Sequence, residues 1–186
     1  MGRRSVLLLL AVSVLLGSRA EYLNVQRKFQ QIEKKQVRPG QRVPISAQEL
    51  NAYVEAELPK VAPPGVRQPV VNLLGNNRAS GAALIDFVKL RSAQGKPPSW
   101  LIRKLLEGEH EVEVTARVRS AGGKATVDVE RVEVAGLPIS GGALDFLIQN
   151  YLVPNYPEAK IGKPFELKYG MDRIEVTPGT AYVIMK

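Results

Sequence analysis

One histidine, His110, and no cysteine stand in the 186 residues. An ordinary zinc site draws on several imidazole or thiolate ligands, and a thiolate nucleophile or a disulfide needs the sulfur that is missing. His110 lies beside Val112 on the apolar side of an alternating run, where a half-buried structural imidazole is the expected role rather than metal binding or general-base work. Carboxylates can also act in pairs, as acid and base in the cleavage of cell-wall polymers. Asp86, Asp128, Asp145 and Asp172 are isolated, however, and no D-x-D-x-D-G calcium loop occurs. Asp86 with Asp145 is the pair on which a hydrolase would rest. Glu109, Glu111 and Glu113 fall on one side of a strand, as a solvated row that pairs with Lys or Arg across the sheet. Ser140 precedes Gly141-Gly142 without a G-x-S-x-G elbow, and Gly75-Asn76-Asn77 lacks the Gly-Lys-Ser/Thr of a phosphate loop. The expectation is a protein with no catalytic residues, no metal and no cofactor.

Apolar helices are the features left to carry a function, and the elements around them follow from periodicity. Tyr22, Val25, Phe29 and Ile32 recur at helical spacing up to about Gln36, where Pro39-Gly40 breaks the pattern. Ser46 and Glu49 form a capping box with Ile45 and Leu50 as its hydrophobic staple. The helix so opened carries Leu50, Tyr53, Val54 and Leu58 on one face and is expected to stop at Pro59. Runs 66–74 and 78–90 flank Gly75-Asn76-Asn77 as a hairpin. A short helix, SWLIRKLLEG, combines Trp100 with Arg103 and Lys104, a mixture that suits a core or a membrane interface.

The clearest strand follows: His110, Val112, Val114, Ala116 and Val118 alternate with charged or polar residues, one face for a core and one for water. The return strand from Lys124 to Val134 changes parity, so a bulge is expected near Glu130-Arg131. Ser140 is placed to cap a helix whose Leu144, Leu147, Ile148, Tyr151 and Leu152 form a broad apolar stripe. Phe165, Leu167 and Tyr169, then Ile174 and Val176, then Tyr182 and Ile184 read as closing strands around a Pro178-Gly179 turn. The fold class is α+β: a curved, antiparallel, hairpin-rich sheet of about six strands against several short amphipathic helices.

At the N-terminus, Arg3-Arg4 precedes an apolar run from Val6 to Leu16, and Ser18 and Ala20 match a small-residue cleavage site. Residues 1–20 are therefore expected to be a signal peptide and 21–186 one domain, periplasmic or extracellular. The alternative is an uncleaved N-terminal anchor, although the run is shorter than the roughly 20 residues a spanning helix needs. The formal charge of +8 becomes +5 without Arg3, Arg4 and Arg19, which allows weak attraction to anionic surfaces and gives no reason to expect nucleic acid.

The order "ISAQELNAYV", "GAALIDFVKL", "HEVEVTARVRS", "KATVDVERVEVAGLPIS" and "FELKYGMDRIEVTPG" resembles a group of poorly characterised bacterial envelope proteins, exported or membrane-anchored, that are sometimes linked to the tubular lipid-binding superfamily. The resemblance implies a lipid-associated or envelope-assembly role and transfers no site residue. The resulting expectation is a non-catalytic envelope protein that takes an apolar or amphipathic, lipid-like ligand in a groove between sheet and helices. Leu50, Tyr53, Val54, Trp100, Leu144, Leu147, Ile148 and Tyr151 are the candidate lining residues. A scaffolding protein that binds an envelope protein partner is the alternative.

Overall fold

In a computed structural model, which describes residues 2–93, 95, 107–152 and 161–186, the alternating runs become two antiparallel sheets. The fold class is α+β with a curved antiparallel sheet, as expected. Helix α1 (Gly2–Glu33) is continuous through Ala20. It is followed by β1 (Arg42–Ser46), α2 (Ala47–Val61) and the hairpin β2 (Val66–Gly75) and β3 (Arg78–Ile85). Next come α3 (Phe87–Ala93), β4 (His110–Ala121), β5 (Lys124–Val134), β6 (Leu137–Pro138) and α4 (Gly141–Leu147), which continues as a π-turn over Ile148–Leu152. Short β7 (Phe165–Glu166) and the hairpin β8 (Met171–Thr177) and β9 (Thr180–Met185) close the chain. The SWLIRKLLEG segment, with Trp100, lies outside the described residues. Among those residues no helix is long and apolar enough to cross a membrane.

The larger sheet runs β2-β3-β4-β5-β6, with β7 on β5; the smaller runs β1-β9-β8. Register in the larger sheet puts Val112 opposite Val134, Val114 opposite Val132, and Ala116 opposite Val129, with the extra residue at Glu130. The bulge therefore sits where the parity change requires it, and it keeps the valines of both strands on one face while bending the ladder. The opposite face is charged: Arg119 pairs with Asp128, Arg117 with Glu130, and Glu109 with Arg67.

Four features differ from the sequence expectation. The run 78–90 is not one strand, because Asp86 stops β3 and caps α3, its carboxylate accepting from the Lys89 N–H at 2.9 Å. Helix α2 passes Pro59 and ends at Val61, since a proline in the last turn forfeits a single helical hydrogen bond. Phe165, Leu167 and Tyr169 give only a two-residue strand, and Tyr169 takes a φ of 58°. Ser140 precedes α4 but makes no side-chain capping bond.

The smaller sheet carries the tighter core. Val25, Ile32, Val43, Ile45, Val183 and Met185 are buried together, with Phe29, Leu50 and Tyr53 against them. Lys28 of α1 fastens this layer, donating to both Glu49 carboxylate oxygens (2.6 and 2.7 Å) and to the Pro44 carbonyl (2.7 Å). Glu49 also accepts from the Ser46 N–H at 2.8 Å, and Ser46 Oγ accepts in turn from the Glu49 N–H, completing the capping box. Burial by itself raises the Glu49 pKa, but Lys28 and Ser46 more than offset it and hold the carboxyl below its usual value.

Among the described residues no strand covers the outer edge of β8. Its outward groups bond instead to the ends of the larger sheet: Asp172 O accepts from Gly123 N (2.7 Å), and Ile174 N and O both meet Ser120 Oγ (2.8 and 2.9 Å). Val176 N donates to Asn77 Oδ1 (2.9 Å) while Val176 O accepts from Asn77 N (3.0 Å). Asn77 also sits at a φ of 57° beside Asn76 at 51°, the two-residue turn of a tight hairpin.

Two expectations follow. Asn77→Gly keeps the left-handed turn but strips the carboxamide from the buried Val176 N–H, and should cost about 1–3 kcal/mol in a urea titration. Asn76→Gly should be close to neutral, and equal effects would contradict this account of the edge. The stability supplied by the Glu49 carboxylate is complete above its unfolded pKa near 4.5 and is lost as pH falls through the lower folded value. The urea midpoint of the wild type should accordingly drop more steeply than that of Glu49→Gln between about pH 5 and pH 3.

Candidate functional site

Among the described residues the valine face of β4 and β5 is not fully covered. Among the described residues α3, α4 and the π-turn lie over part of it, leaving a groove of about 290 Å³. Val112 and Val114 of β4 with Val129 and Val132 of β5 line it. Ile85, Phe87 and Leu90 come from the end of β3 and from α3, Pro63 from the approach to β2, Val66 from its first position, and Ile161 from beyond β5. Leu144, Leu147, Ile148 and Tyr151 supply the helical side, since spacings of three and four residues put them on one face. Of these fourteen residues Tyr151 alone carries a polar side-chain atom.

Local chemistry holds the helices in place. Gly65, at a φ of 103°, lets the chain pass against α3: a Cβ there would meet the Asp86 carbonyl oxygen at 2.7 Å, and the Gly65 carbonyl accepts from the Asp86 N–H at 2.8 Å. The buried Asp86 carboxylate is committed to this junction. Burial raises its pKa, but the Lys89 N–H and the Lys89 ammonium, 2.9 Å away, together bring it below the usual value. Phe87 then meets Tyr151 edge to face at 5.1 Å, and Phe87, Leu90 and Tyr151 form a buried cluster with Leu147 against it. Arg91 of the same helix donates to Asn150 Oδ1 at 2.7 Å and lies 5.8 Å from the Tyr151 ring centroid. Burial pushes the Tyr151 phenol up, and the Arg91 charge offsets only part of that, so the hydroxyl is neutral at pH 7.

Four of the sequence candidates, Leu144, Leu147, Ile148 and Tyr151, share this groove. Leu50, Tyr53 and Val54 do not reach it. Their helix is covered by α1, where Tyr53 packs edge to face on Phe29 at 4.8 Å and stacks with Tyr22 at 6.2 Å. Leu50 borders a second gap of about 370 Å³ between α1 and the smaller sheet, which also meets Glu33. Trp100 lies outside the described residues. The groove residues that sequence reasoning missed are Phe87 and Leu90, hidden with Ile85 in a run read as strand, the inward valines of β4 and β5, read as core, and Pro63, Val66 and Ile161. Asp86 as a cap before a helix-length apolar segment is the signal that could have exposed the first two.

The hydrolase pair does not assemble in the groove: Asp86 is spent on α3, Asp145 is exposed on α4, and neither lines it. Among the described residues no group of three His, Asp or Glu side chains is placed to hold a metal ion. His110 is half-buried near Phe87, 6.1 Å between rings. The arrangement can exclude water around an apolar chain, and its described lining offers no acid, base or nucleophile of ordinary reactivity. No family model matches the chain, and neither a curated protein nor a solved structure is significantly similar to it.

The Gly65 junction positions the α3 wall, so Gly65→Ala must strain a left-handed backbone and push Asp86 away. It should lower the urea midpoint, by more than about 1 kcal/mol of stability, and raise hydrogen exchange in 87–93 above that of β8 and β9. A uniform rise across both sheets would show that the junction is not local to the groove.

Proposed function

We propose that this protein is a non-catalytic binder of an apolar or amphipathic, lipid-like ligand, held in the groove between the larger sheet and helices α3 and α4. The observation that carries the reading is the lining itself, thirteen hydrocarbon or thiol-free apolar side chains and one neutral phenol around about 290 Å³. Small-molecule sites span about 300–1,000 Å³, so this groove suits one acyl chain rather than a whole two-chain lipid. Each methylene taken from water contributes about 0.8 kcal/mol, enough for a single chain to bind without any polar contact.

The N-terminal signal supports a place outside the cytoplasm, where such a domain works beside membranes and envelope lipids. The likeness of the element order to lipid-associated envelope proteins points the same way. Scaffolding through the charged face of β4 and β5 is the weaker reading, because Arg117 and Arg119 there are already paired with Glu130 and Asp128.

The test is binding of a fluorescent fatty acyl probe to the purified, delipidated protein. Leu147→Trp, which fills the groove from α4, should weaken the probe at least about tenfold while leaving the unfolding midpoint within a few degrees of the wild type. Leu50→Trp, on the far side of the fold, should not change probe affinity. A wild type that neither binds the probe nor carries lipid from gentle purification would remove the reading.

A further inference from the structure

Arg91 is the one cation that the described structure sets against the groove wall with no carboxylate to neutralise it. Lys89, on the same helix, is taken by Asp86, and the arginines of the charged sheet face have acidic partners. Arg91 makes no ion pair among the described residues. Its Nη1 alone is engaged, by the neutral Asn150 through Oδ1 at 2.7 Å and the backbone carbonyl at 3.3 Å. The edge formed by Nε and Nη2, which binds a carboxylate through two parallel hydrogen bonds, has no partner there. Arg91 is half-buried, and its Cζ lies 5.8 Å from the ring centroid of Tyr151, a lining residue of the groove.

A charge fixed by neutral groups beside an apolar cavity differs from an ordinary surface arginine. Asn150 orients the fork without cancelling its charge, and the Tyr151 ring shields one side of it from water. An anion brought there meets an oriented donor pair at reduced hydration, where charge-assisted hydrogen bonds are at their strongest. One guanidinium matches one negative charge, so a carboxylate fits better than a phosphate monoester carrying nearly two.

We propose that the groove takes a single-chain fatty carboxylate, its hydrocarbon along the valine face and its carboxylate on the Nε–Nη2 edge of Arg91. This deepens the binding reading above and rests on it. Titration calorimetry at pH 8 with dodecanoate, dodecanol and dodecyl phosphate, on the wild type, Arg91→Gln and Arg91→Lys, tests the two separately. Wild type should bind dodecanoate about tenfold or more above dodecanol, as a charge-assisted bidentate contact implies.

Arg91→Gln should erase that preference, lowering dodecanoate affinity at least about tenfold and dodecanol affinity far less, since Gln keeps a donor for Asn150. Arg91→Lys should retain part of the preference. Equal binding of the acid and the alcohol by wild type, or a preference that survives Arg91→Gln, overturns the carboxylate site and leaves the groove standing. Tighter binding of dodecyl phosphate than of dodecanoate overturns the choice of head group. Binding of none of the three overturns both this site and the groove. A loss of dodecanol binding in both variants overturns the assignment of Arg91 to the head group alone.

Discussion

The structure depends on how the unpaired edge of β8 is satisfied. A strand with a bare edge presents its N–H and C=O groups to water or to another chain. Here the edge ends on Gly123, Ser120 and Asn77, which belong to the turns and strand ends of the larger sheet. Two of these partners are side chains rather than strand backbone, so β8 is joined to the larger sheet without extending it. The joint therefore fixes the two sheets as separate layers. Each then has to bury its own apolar face.

They do so unequally. The smaller sheet has α1 and α2 across it, tied by Lys28 to the cap of α2 and to β1, and Val25 is completely buried between them. The larger sheet has a longer valine face but, among the described residues, only α3, α4 and a π-turn to cover it. Helices of seven residues span about 10 Å, less than the length of an eleven-residue strand. Among the described residues the uncovered remainder is the groove. For those elements it follows from a mismatch of lengths, and the bulge at Glu130 adds to it by curving the face that must be covered.

Local rules made much of this legible in advance. The capping box at Ser46 and Glu49, the alternation of β4, the parity change at Glu130 and the stripe from Leu144 to Tyr151 each lie within about a dozen residues, and each appears in the structure. What sequence did not disclose depends on contacts far apart in the chain. Nothing near Leu50 or Tyr53 says that α1 covers them, so their apolar face read equally well as groove or core. The pairing of Arg42 with Ile184, which makes the smaller sheet, is equally invisible to periodicity. Residues 87–90 were misread for another reason: the seven residues of α3, FVKLRSA, are too few after a strand for the two periods to separate.

A fold without cysteines stands on packing and hydrogen bonds alone, and an open apolar groove is a cost within such a fold. The valine face of β4 and β5 is the driving surface of the larger sheet, yet among the described residues nothing covers part of it when the groove is empty. A chain that fills the groove removes that surface from water in the folded state and has no comparable site in the unfolded one. Binding and stability are then linked: occupancy at a hundred times the dissociation constant adds about 2.7 kcal/mol. Among the described elements the length mismatch that leaves the groove thus also sets what can close it, since a longer helix over the valines would stabilise the sheet and fill the groove. On the proposed reading, the short α4 and the π-turn after it, where Asn150 and Tyr151 meet Arg91 of α3, are where this architecture gives up packing for recognition.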